Sequence, residues 1–278
     1  MSALNFTLKI VPSQRIDMSM LTPDALEGKS TAEIAAIQLP YGKRQLRVGE
    51  AFDISGNNSN NIVITNSHAK LDYIGSKMKT GHITVKGNAG SYLGFQMRGG
   101  QLSVKGNVDA YAASGMSGGL IQIHGNAGDF LAAAIVGDRK GMKGGIVIVT
   151  GNAGERVGDQ MRRGILLIEG NVGSYCASRM LAGTIGVLGN VGEYVGYGMR
   201  RGTLLLTNVP NVHATIQDCG THTLPFLSLM FKSFASLPSK FAKISTNRVQ
   251  RYAGDIANDG KGEILVLKLA LKEVTTIA

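Results

Sequence analysis

Basic residues recur along this chain at a spacing that suits the binding of an anion. Lys79, Arg98, Lys143, Arg162 and Arg200 each follow a methionine, and Arg163 and Arg201 lie one place further on. Ser117 and Leu181 hold the same place after Met116 and Met180. Of the 13 basic residues between 78 and 202, seven fall in these two columns and no acidic residue does, so the charge is segregated. Arg139 and Lys140 lie just before Met142. Guanidinium and ammonium groups bind carboxylates and phosphates through charge-assisted hydrogen bonds. Like charges set side by side repel, and an acidic partner relieves that cost. A linear polyanion fits the pattern. Two plainer readings stand beside it: a turn kept soluble by charge, and a docking edge for another protein. Nucleic acid is the weaker candidate, because few aromatic residues interleave with the cations.

Other chemistry is scarce. His213, Asp218, Cys219 and His222 lie close in sequence. A metal site there is conceivable, and a polar turn is the plainer reading. No Ser-His-Asp order, nucleophile elbow or carboxylate pair stands out, so no catalytic residue is expected in this chain. Cys176 and Cys219 are the only cysteines, and neither sits in a C-x-x-C. They pair only if the fold brings them together, and two buried free thiols are the preferred reading. No metal centre is expected from them.

Composition sets the frame. The 278 residues are 44% hydrophobic, which marks a globular chain and not a disordered one. No apolar run reaches the roughly 18 residues that a membrane helix needs, so no membrane association is expected. The first residues, MSALNFTLKIVPSQRID, lack the order of a signal peptide, and a cytoplasmic location is the default. The net charge of +10 implies an acidic partner without saying which.

The element that must position the cations is a repeat. Methionines fall at 78, 97, 116, 142, 161, 180 and 199, at intervals of 19, 19, 26, 19, 19 and 19. Gly-Asn pairs at 87, 106, 125, 151, 170 and 189 keep the same intervals, so the 26 is one seven-residue insertion near Ile135–Gly141. After each methionine comes a glycine, then an alternating run such as His82-Ile83-Thr84-Val85-Lys86. Period-two alternation of β-branched residues means a strand with one face buried. In later units the alternate position is also apolar, as in Ile165-Leu166-Leu167-Ile168, and there both faces are expected to be covered. Glycines before and after the strand, then Asn-Ala-Gly or Asn-Val-Gly, are turn chemistry. A phosphate loop occurs once, between strand and helix. These turns recur six times without a helical pattern, which argues against phosphate binding there.

A unit of 19 residues is too short for a helix pair and for most propeller blades. It suits one coil of a parallel β-solenoid, about seven coils stacked at about 4.8 Å. The methionines then form an internal ladder. Asn88, Asn107, Asn126, Asn152, Asn171 and Asn190 form a turn ladder whose amides hydrogen-bond along the column. The basic columns become a stripe along one edge.

The flanks are expected to cap the stack. Residues 1–66 read as an N-terminal cap with entry strands at LNFTLKIV, Val48–Ile54 and Asn61–Thr65. Helix starts follow at Thr22 and Ser30, and Asn66 marks a degenerate coil. Residues 67–209 form the repeat. Residues 210–278 read as a C-terminal cap, with an apolar helix over Thr223–Phe231 and a closing strand from Gly262 to Lys268.

Units such as MRGGQLSVKGNVD, MSGGLIQIHGNAG and MKGGIVIVTGNAG resemble the GXGXG repeat, over about residues 40–270. That repeat is shared by the C-terminal domain of the glutamate synthase large subunit and by the C subunit of formylmethanofuran dehydrogenase. Asp218-Cys219-Gly220, Leu224-Pro225-Phe226-Leu227 and Gly260-Lys261-Gly262 look like the second. The resemblance implies a right-handed solenoid and a non-catalytic, cytoplasmic subunit of a one-carbon complex. Two complexes fit. The bacterial formyltransferase/hydrolase complex moves a formyl group from tetrahydromethanopterin to a methanofuran-type carrier and releases formate; it is the preferred reading. The archaeal formylmethanofuran dehydrogenase reduces carbon dioxide with a tungsten or molybdenum pterin in another subunit. The implied partners are an amidohydrolase-like hydrolase subunit, a formyltransferase subunit and a further structural subunit. The carrier's polyglutamate tail is a linear polyanion. Arg98, Lys143, Arg162, Arg163, Arg200 and Arg201, with Lys79, Arg139 and Lys140 beside them, are the residues expected to hold it. A glutamate-synthase-like spacer domain is the remaining alternative.

Overall fold

The structure, a computed structural model, describes residues 2–269. Its strands are β1 (Ala3–Leu8), β2 (Ile16–Asp17), β3 (Gln38–Tyr41), β4 (Arg44–Arg47), β5 (Phe52–Ser55), β6 (Asn58–Ser67), β7 (Leu71–Asp72), β8 (His82–Gly87) and β9 (Gln101–Val104). They continue as β10 (Leu120–Ile123), β11 (Lys143–Val149), β12 (Arg163–Ile168), β13 (Thr184–Val187), β14 (Thr203–Leu206), β15 (Gln217–Thr223), β16 (Arg248–Gly254) and β17 (Gly262–Leu267). Thirteen form one mixed sheet in the order β15-β16-β17-β14-β13-β12-β11-β10-β9-β8-β6-β1-β5, and β4-β3-β2-β7 form a second. Among the described residues, α-helix is limited to Pro23–Leu26, Thr31–Ala36, Val48–Ala51 and Phe226–Phe234. The chain is all-β, as its alternation predicts. No helix among the described residues is long and apolar enough to cross a membrane.

From β8 to β14 each repeat gives one strand, paired in parallel with the next. Ile83, Leu102, Ile121, Val147, Leu166, Ile185 and Leu204 make one buried column, and Ile264 of β17 extends it. A second column of single parallel bridges runs through Ala89, Val108, Ala127, Ala153, Val172 and Val191. The 26-residue step from Ala127 to Ala153 falls in line with the others. The insertion therefore leaves the stack intact, and most of it lies exposed.

The methionine ladder is buried, each side chain at most 1% exposed. It also explains the glycine at the start of each strand from β9 to β14. A Cβ on Gly100, Gly119, Gly145, Gly164, Gly183 or Gly202 would lie 2.5–3.1 Å from the Cε of the methionine one repeat back. The asparagine ladder differs in detail from the expected amide-to-amide contacts. Each Asn side-chain oxygen accepts the backbone N–H of the next Asn, from Asn88–Asn107 to Asn171–Asn190, every bond at 2.8 Å. A third column is aromatic: Tyr73, Tyr92, Tyr111 and Phe130 stack at 4.7–5.2 Å, as do Tyr175 and Tyr194 at 4.9 Å. Arg156 fills the gap between the two runs, its guanidinium 4.6 Å from the Tyr175 ring.

At the N-terminus, Thr22 and Ser30 cap their helices, and Glu33 completes a capping box with Ser30. The Val48–Ile54 strand expectation needs correction. Val48–Ala51 is a helical turn, because Glu50 reaches back to accept the Arg47 N–H at 2.8 Å; β5 begins only at Phe52. Near Asn66, β6 pairs in parallel with β8, as a degenerate unit should. At the other end β17 continues the parallel column, and the antiparallel strands β16 and β15 extend the sheet beyond it. The expected apolar helix runs over Phe226–Phe234, because β15 extends to Thr223. Its Leu227, Phe231 and Phe234, with Phe241, bury the outer face of Leu167, Leu205 and Leu265. This is the second covered face that the later repeats' extra apolar positions imply.

Candidate anion-binding groove

Stacking aligns the basic residues through the backbone. The N–H groups of Arg98, Ser117, Lys143, Arg162, Leu181 and Arg200 each donate to the carbonyl of the methionine one repeat back, at 2.6–2.9 Å. Arg163 sits opposite Lys143 at the start of the β11–β12 pairing. All nine predicted cations, Lys79, Arg98, Arg139, Lys140, Lys143, Arg162, Arg163, Arg200 and Arg201, have exposed side chains. Among the described residues, none of the nine forms an ion pair.

The structure divides the nine. Arg162, Arg163, Arg200 and Arg201 surround one depression of about 400 Å³ with Leu181 and Ala182 as its floor. The two arginine pairs are two repeats apart, about 10 Å at the usual strand spacing. Leu181 stands where flanking repeats carry arginine, so the floor is uncharged and the side walls hold the cations. Arg139, Lys140 and Arg200 border an adjoining recess of about 520 Å³ that shares Leu181 with the first. Lys79, Arg98 and Lys143 line neither hollow; they continue the column toward the N-terminal end, interrupted by Ser117. There the column meets an acid, since Asp24 accepts the backbone N–H of Lys79 at 2.8 Å and the Thr80 hydroxyl at 3.0 Å. Burial pushes the Asp24 carboxyl up, but these hydrogen bonds outweigh it and hold the carboxyl below its ordinary value.

Several contributors escape sequence reasoning. Arg179 lines the larger recess and bonds the buried Asp159, with Nε to Oδ1 at 2.9 Å and Nη2 to Oδ2. The hydrogen bond to Asp159 raises the Arg179 pKa above its ordinary value. Its position precedes a methionine instead of following one, so the column count passes over it. Lys261 follows Arg201 in the second basic column, its N–H donating to the Arg200 carbonyl at 2.7 Å. Tyr197 and Asn258 complete the recess. Asn258 Nδ2 donates to Asp255 at 2.9 Å, and Asp255 also accepts the Gly198 N–H at 3.0 Å, which fixes that wall.

Polar groups of the His213–His222 segment find partners close by in the chain. No group of three or more His, Cys, Asp or Glu ligands is assembled among the described residues. His213 Nδ1 pairs with the Thr215 hydroxyl at 2.7 Å, and His222 Nε2 with the Cys219 carbonyl at 2.8 Å. Both cysteines are free; Cys219 is half-buried, and burial pushes the Cys176 thiol up to about 12, which makes it inert.

Stacked repeats with a row of exposed cations along one edge define an all-β repeat protein. A family model described as the GXGXG motif matches residues 43–223, well over half of the chain. Among solved structures, a chain of the formyltransferase/hydrolase complex (FhcABCD) from Methylorubrum extorquens, crystallised with methylofuran, is 37% identical. The superposition has a TM-score of 0.90 and covers 95% of this chain and 100% of that one. Among curated proteins, the Fhc C subunit of the same complex from M. extorquens is 40% identical over 77 residues, 28% of this chain and 29% of the relative. The C subunit of the tungsten-containing formylmethanofuran dehydrogenase 2 from Methanothermobacter marburgensis is 36% identical over 93 residues, 32% of this chain and 34% of the relative. These alignments span about a third of the curated relatives' length. The chain belongs to the GXGXG family and is a homologue of the C subunit of these complexes.

Proposed function

We propose that this chain is a non-catalytic structural subunit of a cytoplasmic formyltransferase/hydrolase complex of one-carbon metabolism. In this reading it scaffolds a hydrolase subunit of the amidohydrolase type, a formyltransferase subunit and a further structural subunit. The stacked repeats are a right-handed parallel β-solenoid; the handedness follows the strong preference of parallel crossovers. Residues 1–66 and 210–278 cap its ends, and 67–209 form its body. The basic groove holds the polyglutamate tail of a methanofuran-type carrier while the formyl-bearing end travels between partner subunits.

One observation carries the reading: the correspondence, along 95% of the chain, with a chain of the complex crystallised with methylofuran. The groove adds a physical argument. An exposed charge pair contributes only about 0.2–1 kcal/mol. Four arginines in one depression, with more cations in line beyond them, retain a tail through several such pairs acting together.

The test is co-expression with candidate hydrolase and formyltransferase subunits. One complex should form, with formyl transfer and hydrolysis lost when this chain is omitted. Full activity of the partners without it would refute the scaffolding role. The 36% identity to an archaeal relative supports the second reading, a formylmethanofuran dehydrogenase subunit. A co-purifying partner that holds a pterin-bound metal and iron–sulfur clusters would select it.

A further inference from the structure

Two hydrogen-bond ladders of the stack end at one corner. The N–H groups of Ala89, Val108, Ala127, Ala153 and Val172 each donate to an asparagine carbonyl one repeat ahead, at 2.8–2.9 Å. The N–H groups of the aromatic column do the same, from Tyr73 to Ser91 through Tyr175 to Glu193, at 2.8–2.9 Å. One repeat on, Val191 and Tyr194 should donate to Val209 and Val212. Among the described residues neither N–H has an acceptor.

The cause lies in two lost glycines. A Cβ on Gly189 would lie 2.5 Å from the Gly170 carbonyl, and one on Gly192 would lie 2.6 Å from the Ser174 nitrogen. One repeat on, Asn208 and Asn211 hold these places, so their turn cannot lie down on the turn before it. Asn190 Oδ1 accepts from the Asn208 side chain at 2.9 Å, and not from a backbone N–H as in the ladder behind it. A cavity of about 250 Å³ opens between the turns, lined by Glu193, Tyr194, Asn211, Val212 and His213. Tyr194, the last ring of its column, is 46% exposed. His213 follows it by count, but its ring tilts by 55° against Tyr197. Glu193 forms no ion pair among the described residues. Asp72 and Asp129, in its place in earlier repeats, accept the N–H of Ser91 and Glu155 one repeat ahead, at 2.9 and 2.8 Å.

We infer that this corner receives an extended segment of a partner subunit, which adds the rung that the chain does not. Two of its carbonyls, three residues apart, accept the Val191 and Tyr194 N–H groups, as in other cases of strand addition to an unpaired edge. The residue with the second carbonyl sets its own N–H at Glu193, whose carboxylate favours a basic side chain there. The next residue is aromatic and stacks on Tyr194. Residues 270–278 contain no aromatic residue, so the ring comes from another chain. A free aromatic molecule fits less well, since one ring on an open ledge gives little to offset its lost freedom, whereas a partner's ring is already tethered. The inference rests on the scaffolding reading above and names where one partner grips.

Hydrogen exchange resolved to single amides, in the isolated chain and in the assembled complex, tests this. The Val191 and Tyr194 amides should exchange freely in the chain alone and about a hundredfold more slowly in the complex. Tyr194→Phe keeps the ring and should assemble as wild type. Tyr194→Ala and the surface change Glu193→Lys should each weaken partner binding about tenfold. The exchange measurement and Glu193→Lys decide the matter even if Tyr194→Ala fails to fold. An assembled complex whose two amides still exchange freely, or a Glu193→Lys chain that binds partners as wild type does, overturns the added rung and leaves the scaffolding role standing. Amides already protected in the isolated chain overturn it too. If the wild-type chain gathers no partner, the scaffolding reading fails and this inference with it.

Discussion

The ring of Phe241 occupies the space that a side chain on Gly186 would fill. A Cβ there would meet ring carbons at 2.6 and 2.7 Å. The same strand position holds Leu167 one repeat back and Leu205 one repeat on. The glycine is thus a socket through which the C-terminal segment grips the sheet. Glu169 adds a polar latch, accepting the Ser239 hydroxyl at 2.9 Å and the Lys240 N–H at 2.8 Å.

Gly186→Leu restores the pattern of the neighbouring repeats and should still destabilise the protein. Expelling Phe241 is an overpacking change of about 1–3 kcal/mol. Denaturant unfolding should show that loss, and limited proteolysis should cut first in residues 226–244. An unchanged midpoint would mean that the segment is not held through this contact.

The asparagine ladder predicts an unequal response at Asn152. Its Oδ1 accepts the Asn171 N–H, so Asn152→Asp keeps the acceptor while Asn152→Ala deletes it. Alanine should cost about 0.5–1.5 kcal/mol, and aspartate clearly less. Thermal melts at neutral pH separate the two. Equal losses would favour amide-to-amide contacts instead.

Arg179→Ala removes the nearest cation from the buried Asp159 and leaves only Arg156 at 3.9 Å. Arg179 is half-exposed, so the expected cost is discounted to about 1–3 kcal/mol. Removing both charges, as Arg179→Met/Asp159→Leu, should restore most of it. If the double variant is as unstable as the single one, the loss is one of packing and not of an orphaned carboxylate.

Asp255 ties the last 3₁₀ turn to the stack. Burial pushes its carboxyl up, but hydrogen bonds from the Thr215 hydroxyl, the Gly198 and Ala257 N–H groups and Asn258 outweigh that and lower it below the ordinary 3.8. A lowered carboxylate contributes stability above its unfolded value, and the contribution is lost as pH falls through the folded value. Wild type should therefore lose stability below about pH 4, and Asp255→Asn should lose less over that window while being less stable at pH 7. Parallel pH profiles would contradict this.

The parts of this molecule that repeat were legible in the sequence. Seven methionines, 19 residues apart but for one interval of 26, mark the buried column, and the extra apolar positions of later repeats such as Ile165 and Leu167 imply the second covered face. What depended on contacts between distant segments was not legible. The recess needs the insertion beside the turn at Asn258, and no local pattern announces that meeting. Arg179 lies one residue before a methionine, in a column that also holds Gln160 and Gly198, so its type gives no signal. Arg156 in the aromatic column is similar: it stacks where tyrosine usually stands. The β15–β16 pairing brings together residues 217–254, where no repeat guides the eye.

The carrier-binding part of the proposed function turns on whether the basic groove holds an anionic tail. The decisive experiment purifies the assembled complex with Arg162, Arg163, Arg200 and Arg201 all replaced by glutamine, and follows carrier retention against rising salt. Assembly should stay intact, with carrier lost at a much lower ionic strength than in wild type. Retention identical to wild type at every salt concentration, in a fully assembled complex, would contradict a tail held in the groove.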